Sequence, residues 1–173
     1  TARELAIIAG EALKNESFRR IVSTYKKEIE SSEVKRTLVN HNKLLKSYEG
    51  CIGVKTGYTK KSGRCLVSAA ERDNLPFICV TINAPDDWRD HAAMLDYGFS
   101  AYERVTLYEA GEFCYGYAVS GGSAKTVTAT NSEPLVLTLP KGHADLCESV
   151  CFPQRFEIAP ISKGDELGQL TVS

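Results

Sequence analysis

The sequence predicts an α+β chain, with an antiparallel sheet and helices over residues 1–104 and a small all-β, sandwich-like domain over residues 105–173. Three observations carry that prediction. Apolar residues recur at helical spacing at the start of the chain and again after Pro85. β-branched and aromatic runs separated by turn residues fill the stretch between, and beyond Arg104 every apolar run is short and alternating. The charge shifts at the same place, with 17 basic against 14 acidic residues up to Arg104 and 4 against 8 beyond it. A length of 173 residues suits one medium domain or two small ones.

Thr1 and Glu4 have the spacing of a capping box, ahead of Leu5, Ile8, Ala9, Ala12 and Leu13 on one helical face. Asn15 breaks that helix, and a second runs from Glu16 to Val22 with Phe18 and Ile21 inward. Tyr25 to Ile29 and Val34 to Val39 favour a hairpin around a polar turn at Ser31 and Ser32. Asn40 to Lys46 reads as a loop or a single helical turn. Three adjacent antiparallel strands follow, Cys51 to Thr56, Cys65 to Ala70 and Phe77 to Ile82, with turns at Lys60-Lys61-Ser62-Gly63 and Asp73-Asn74-Leu75-Pro76. Pro85, Asp86 and Asp87 begin a helix, because proline suits a first turn and carboxylates complement the positive end of the dipole. Its stripe of Trp88, Ala92, Leu95, Phe99 and Tyr102 is expected to pack across the sheet, which accounts for Trp88 and His91 without a cofactor. Beyond Arg104 the expected strands are Phe113 to Val119, Thr126 to Thr130, Leu135 to Leu139, Leu146 to Cys151, Phe156 to Ile158 and Leu167 to Val172.

The net charge of −1 supplies no overall field to recruit nucleic acid or an acidic membrane. The sequence contains no apolar run long enough to span a bilayer and no signal-peptide pattern. Cys51, Cys65, Cys79, Cys114, Cys147 and Cys151 include no C-x-x-C pair, so no metal site is expected. Five of the six sit in apolar, strand-like surroundings that favour free thiols.

The chemistry concentrates in Gly53-Val54-Lys55-Thr56-Gly57-Tyr58-Thr59. On extended backbone Lys55 supplies a compact ammonium, Thr56 a hydroxyl suited to a carboxylate, and Gly57 a place where a ligand approaches the main chain closely. Together they suit an anion lying beside a strand. A solvated lysine followed by an ordinary Thr-Gly turn explains the bare tripeptide equally well, so the flanks decide.

Those flanks are Asn40-His41-Asn42-Lys43-Leu44-Leu45, Tyr48-Glu49-Gly50-Cys51-Ile52 and Ser62-Gly63-Arg64-Cys65-Leu66-Val67-Ser68-Ala69-Ala70. With Ala84-Pro85, Arg89, Leu95-Asp96-Tyr97-Gly98-Phe99 and the opening Thr1 to Ala6, the chain resembles the low-molecular-weight penicillin-binding proteins. These are serine-type D-alanyl-D-alanine carboxypeptidases of the peptidase S11 family, and Lys-Thr-Gly is the third motif they share with class A β-lactamases. The resemblance implies an incomplete penicillin-binding-protein/β-lactamase-like sheet followed by a β-sandwich that stops before its last strand. It further implies an extracytoplasmic parent protein in the cell envelope, acting on peptidoglycan stem peptides ending in D-Ala-D-Ala and binding β-lactams, with no cofactor.

By the same resemblance Lys55 orients the charge network, Thr56 bonds the substrate carboxylate beside Gly57, the Tyr58 N–H is an oxyanion-hole donor, and Arg89 backs up Thr56. His41, where some members have arginine, reads as a surface residue. The family's nucleophile belongs to a Ser-x-x-Lys motif and its partner to Ser-x-Asn. Ser23-Thr24-Tyr25-Lys26 and Ser32-Glu33-Val34-Lys35 match the first as text, but one ends a helix and the other lies in a turn, and Ser-x-Asn is absent. No catalytic residue is therefore expected in this chain. Both serine motifs are expected in a segment before Thr1, with which this chain associates. The alternatives are a non-catalytic module binding peptidoglycan or a partner, and a β-lactamase-related fragment, which the β-rich segment after Arg104 disfavours.

Overall fold

The structure is a computed structural model that describes residues 1–30, 34–147, 149–153 and 157–172. The turn at Ser31 and Ser32, the serine of the Ser32 motif, Phe156 and the Cys151 side chain lie outside the described residues. The chain divides into two compact units, Thr1–Ala101 and Tyr102–Ser173.

In the first unit α1 (Ala2–Leu13) closes the expected capping box, the Thr1 hydroxyl accepting from the Glu4 N–H at 3.3 Å. Its inward face differs from the expected one. Ala9 is buried, whereas Leu5 is exposed and Ile8, like Ile7, is 63% exposed. The helix meets the sheet along its small residues, and a side-chain carbon at Gly10 would lie 3.5 Å from Ile78. In α2 (Glu16–Ser23) Asn15 accepts from the Phe18 N–H at 3.0 Å. Ile21, expected inside, is exposed, and its neighbour Val22 packs against Gly53 instead.

Strands β1 (Lys26–Glu30) and β2 (Lys35–Val39) pair as an antiparallel hairpin whose every strand residue is exposed. One helical turn, α3 (Leu44–Ser47), leads into β3 (Cys51–Thr59), β4 (Gly63–Arg72) and β5 (Leu75–Ile82). These form one antiparallel sheet in that order, so β3 is an edge strand among the described residues. Helix α4 (Asp87–Ala101) closes the core, with Leu95 against Ala70 and Cys79 and the Phe99 ring edge-on to Phe77 at 5.0 Å.

The buried line of α4 is Asp87, His91, Leu95 and Gly98, which keeps Leu95 of the expected stripe and lies one step round from it elsewhere. Trp88, Ala92 and Phe99 flank it, and Tyr102 leaves the helix to begin the next strand. Polar partners explain the difference, because they let an acid and a histidine take interior positions. His91 is fully buried, with the Ser68 hydroxyl at Nδ1 (2.5 Å) and the Thr81 hydroxyl at Nε2 (2.9 Å).

Burial lowers the His91 imidazole to about 4, against the opposing pull of Asp87 and Asp90. A histidine in the unfolded chain titrates near 6.5, so on acidification the unfolded state takes the proton first. This contribution to stability is therefore complete above about pH 6.5, falls by up to about 3 kcal/mol between there and about pH 4, and is level below. Urea unfolding across that window measures the slope. Ring NMR signals of His91 titrating near neutrality would contradict it.

Among the described residues the second unit is all-β apart from a 3-10 turn at Ala144–Leu146. Its strands are β6 (Tyr102–Tyr108), β7 (Cys114–Ser120), β8 (Thr126–Thr130), β9 (Leu135–Pro140), β10 (Ser149–Pro153), β11 (Glu157–Ile158) and β12 (Gly168–Val172). β6 pairs with β9, β10 with β12, and β7 with β8 antiparallel and β11 parallel. Sequence reasoning misses β6. It also begins a strand at Leu146, which instead ends the 3-10 turn.

Cys51, Cys65, Cys79, Cys114 and Cys147 are free thiols, and burial pushes Cys79 up to about 11, out of the reactive range. No helix among the described residues is long and apolar enough to cross a membrane.

Candidate active-site cleft

The edge strand β3 walls an open cleft of about 1140 Å³. Lys55, Thr56, Gly57 and Tyr58 all line it. Gly53 holds the start of that run, because it has φ 143° where the β3–β4 register shifts, and a side-chain carbon there would lie 2.9 Å from Val22. Beyond the shift Thr56 faces Leu66, Gly57 faces Cys65 and Tyr58 faces Arg64. Strand alternation therefore puts Thr56, Tyr58 and Arg64 on one face and Lys55, Gly57 and Cys65 on the other. The Lys55 ammonium donates to the Thr56 carbonyl at 2.5 Å.

A second wall comes from the loop before α3. The Asn40 amide donates to the Val22 and Thr24 carbonyls at 3.2 and 3.3 Å, and its oxygen accepts from the Asn42 N–H at 2.9 Å. Asn42, fully buried, in turn accepts from the Leu44 N–H at 3.1 Å. These bonds fix a loop whose His41 and Lys43 line the cleft, so His41 is exposed but stands at the cleft.

The third wall is not legible in the sequence. Arg64 on β4 donates through Nε and Nη2 to the two carboxylate oxygens of Asp87, at 3.2 and 2.7 Å. Asp87 is buried at the head of α4 and also accepts from the Trp88 N–H at 2.9 Å. The Trp88 ring lies 5.9 Å from the guanidinium carbon, and all three residues line the cleft. Arg89, the next residue, does not. Its side chain is 83% exposed and pairs with Asp86 at 3.5 Å, because one step along a helix turns a side chain by about 100°.

Ser23 does not line the cleft either, and its hydroxyl donates to the Arg20 carbonyl of its own helix at 3.2 Å. Among the described residues no cluster of three or more His, Cys, Asp or Glu side chains is arranged to hold a metal.

Comparison with known proteins matches residues 1–86 to the family of D-alanyl-D-alanine carboxypeptidases, peptidase S11, and residues 102–173 to the penicillin-binding protein 5 C-terminal domain. The D-alanyl-D-alanine carboxypeptidase DacF of Bacillus subtilis is 36% identical over 178 residues, covering 99% of this chain and 46% of DacF. The chain thus spans about half the length of this curated relative. A crystal structure of penicillin-binding protein 5 from Haemophilus influenzae superposes with a TM-score of 0.74 at 25% identity, over 100% of this chain and 51% of that one. A crystal structure of the D-alanyl-D-alanine carboxypeptidase from Mycobacterium tuberculosis gives 0.53 at 30% identity, over 58% of this chain and 40% of that one. With its Lys-Thr-Gly strand in the first matched segment and its all-β unit in the second, the chain belongs to the D-alanyl-D-alanine carboxypeptidase family of low-molecular-weight penicillin-binding proteins.

Proposed function

We propose that this chain supplies the substrate-binding half of a serine-type D,D-carboxypeptidase that removes the terminal D-alanine from peptidoglycan stem peptides outside the cytoplasm. The observation that carries the reading is the edge strand whose Lys55, Thr56, Gly57 and Tyr58 together wall one cleft. A peptide lying along β3 would bond its edge, with the scissile carbonyl toward the Tyr58 N–H and the terminal carboxylate toward Thr56. The acyl-enzyme serine and its lysine would stand in the half of the relative's length that this chain does not span. The exposed Ile7, Ile8 and Ile21 offer apolar surface for such a segment.

The test is a titration of the chain with an N-acetylated peptide ending in D-Ala-D-Ala, followed in the amide NMR spectrum. Shifts centred on Gly57 and Tyr58 are expected, and a peptide that moves only remote signals counts against the reading. Gly57→Ala sharpens the test. A side-chain carbon at Gly57 would meet nothing nearer than Cys65 at 3.9 Å, so the fold has room for it. The variant is expected to change unfolding free energy by no more than about 1 kcal/mol and to lose about tenfold or more in peptide affinity.

A further inference from the structure

The resemblance gives the carboxylate to Thr56 with Arg89, but the structure turns Arg89 out to solvent against Asp86. We propose that Arg64, held by Asp87, is the guanidinium that receives the terminal carboxylate of a peptide lying along β3. The proposal rests on the reading of the cleft as a D-alanyl peptide site and deepens it.

Position comes first. Thr56 faces Leu66, and Arg64 stands two residues before Leu66 on the same face of β4. Thr56 and Arg64 are thus diagonal cross-strand neighbours, about 7–8 Å apart, a spacing that a long side chain spans. Both line the cleft.

Hydrogen bonding comes next. A guanidinium carries five N–H groups in one plane, and Asp87 occupies only the Nε and Nη2 side. The Nη1–Nη2 edge keeps a two-pronged arrangement that matches a second carboxylate. Asp87, 4% exposed and anchored at the head of α4, fixes the direction of that fork before a ligand arrives. Asp87 is a positioning residue, acting through Arg64. Its charge balances that of Arg64, and Lys43, Lys46 and Lys55 leave the cleft wall positive toward an anion. The specificity that follows is for peptides whose last residue keeps a free α-carboxylate.

Trp88 is the only tryptophan in the chain, so its indole N–H gives a single resonance beside Arg64. The experiment titrates the chain with N-acetyl-L-Lys-D-Ala-D-Ala and separately with its C-terminal amide. The acid is expected to shift the Trp88 indole signal and to bind about tenfold or more tighter than the amide, the scale of one charge-assisted two-pronged contact.

Arg64→Gln is expected to abolish that preference, and Arg89→Gln to keep it. Because Arg64→Gln leaves Asp87 buried without its partner, Arg64→Lys serves as the second variant. It keeps a cation against Asp87 but removes the fork, and the same loss of preference is expected. If the acid shifts Gly57 and Tyr58 while the Arg64 variants keep the full preference, or if Arg89→Gln is the change that removes it, the assignment to Arg64 is wrong and the peptide-site reading survives. If neither peptide shifts any cleft signal, the peptide-site reading falls and takes this assignment with it.

Discussion

Incubated alone with a fluorescent penicillin, the chain is expected to keep its unmodified mass and to release no D-alanine from a D-Ala-D-Ala peptide. Loss of a serine hydrolase's nucleophile costs on the order of 10⁶ in turnover, whereas loss of one oxyanion donor costs about 10²–10³. The second deficit leaves measurable activity and the first does not. Ser23 is no substitute, because its hydroxyl is engaged by the Arg20 carbonyl at the end of α2. Lys26 of the same textual motif lies 3.7 Å from Glu28 on the hairpin. Mixed with a polypeptide that carries both serine motifs, the chain is expected to permit an adduct on that polypeptide. Intact mass spectrometry reads both results, and an adduct on this chain by itself would make Ser23 or Ser32 a working nucleophile.

Gly53→Ala is expected to destabilise the first unit by about 3 kcal/mol or more. Two costs add there. A φ of 143° is a conformation that L residues adopt only under strain, worth about 1–3 kcal/mol. The new carbon would also lie 2.9 Å from the Val22 side chain, and overpacking of that kind costs about 1–3 kcal/mol. Since Gly53 sits two residues before Lys55, relief by shifting β3 would also misplace the cleft wall. Urea unfolding of Gly53→Ala and of Gly53→Ala with Val22→Ala separates the terms, because the second change removes the clash and leaves the backbone strain. A loss below about 1 kcal/mol in the single variant would contradict the described backbone at this position.

Much of the first unit is legible in the sequence because its signals are local. The capping box at Thr1 and Glu4, the three strands around Lys55, and the helix opening after Pro85 each depend on residues adjacent in sequence. Lys55 to Tyr58 reach one cleft together because a strand keeps its residues together. Arg64 escapes such reading because its significance lies in a partner 23 residues away, and hydrophobic periodicity says nothing about which charged residue will be paired indoors. The same blindness moves the buried face of α4. By pattern Trp88 is the core residue and Asp87 a solvated helix cap, yet Asp87 is the buried one because Arg64 satisfies it. Apolarity alone places Ile8 and Ile21 inward, a rule that cannot see where a helix lets its small residues approach the sheet.

The β1–β2 hairpin buries none of its own strand residues, yet Val39 at its end and Tyr25 just before its start stand in the cleft wall. Its side chains therefore contribute little to the buried core of the unit, while its backbone pairing holds two residues at the cleft. On the proposed reading of the cleft as a peptide site, substitutions along this hairpin would reshape the rim of the cleft without touching the pairing of the three-stranded sheet, to which it does not belong.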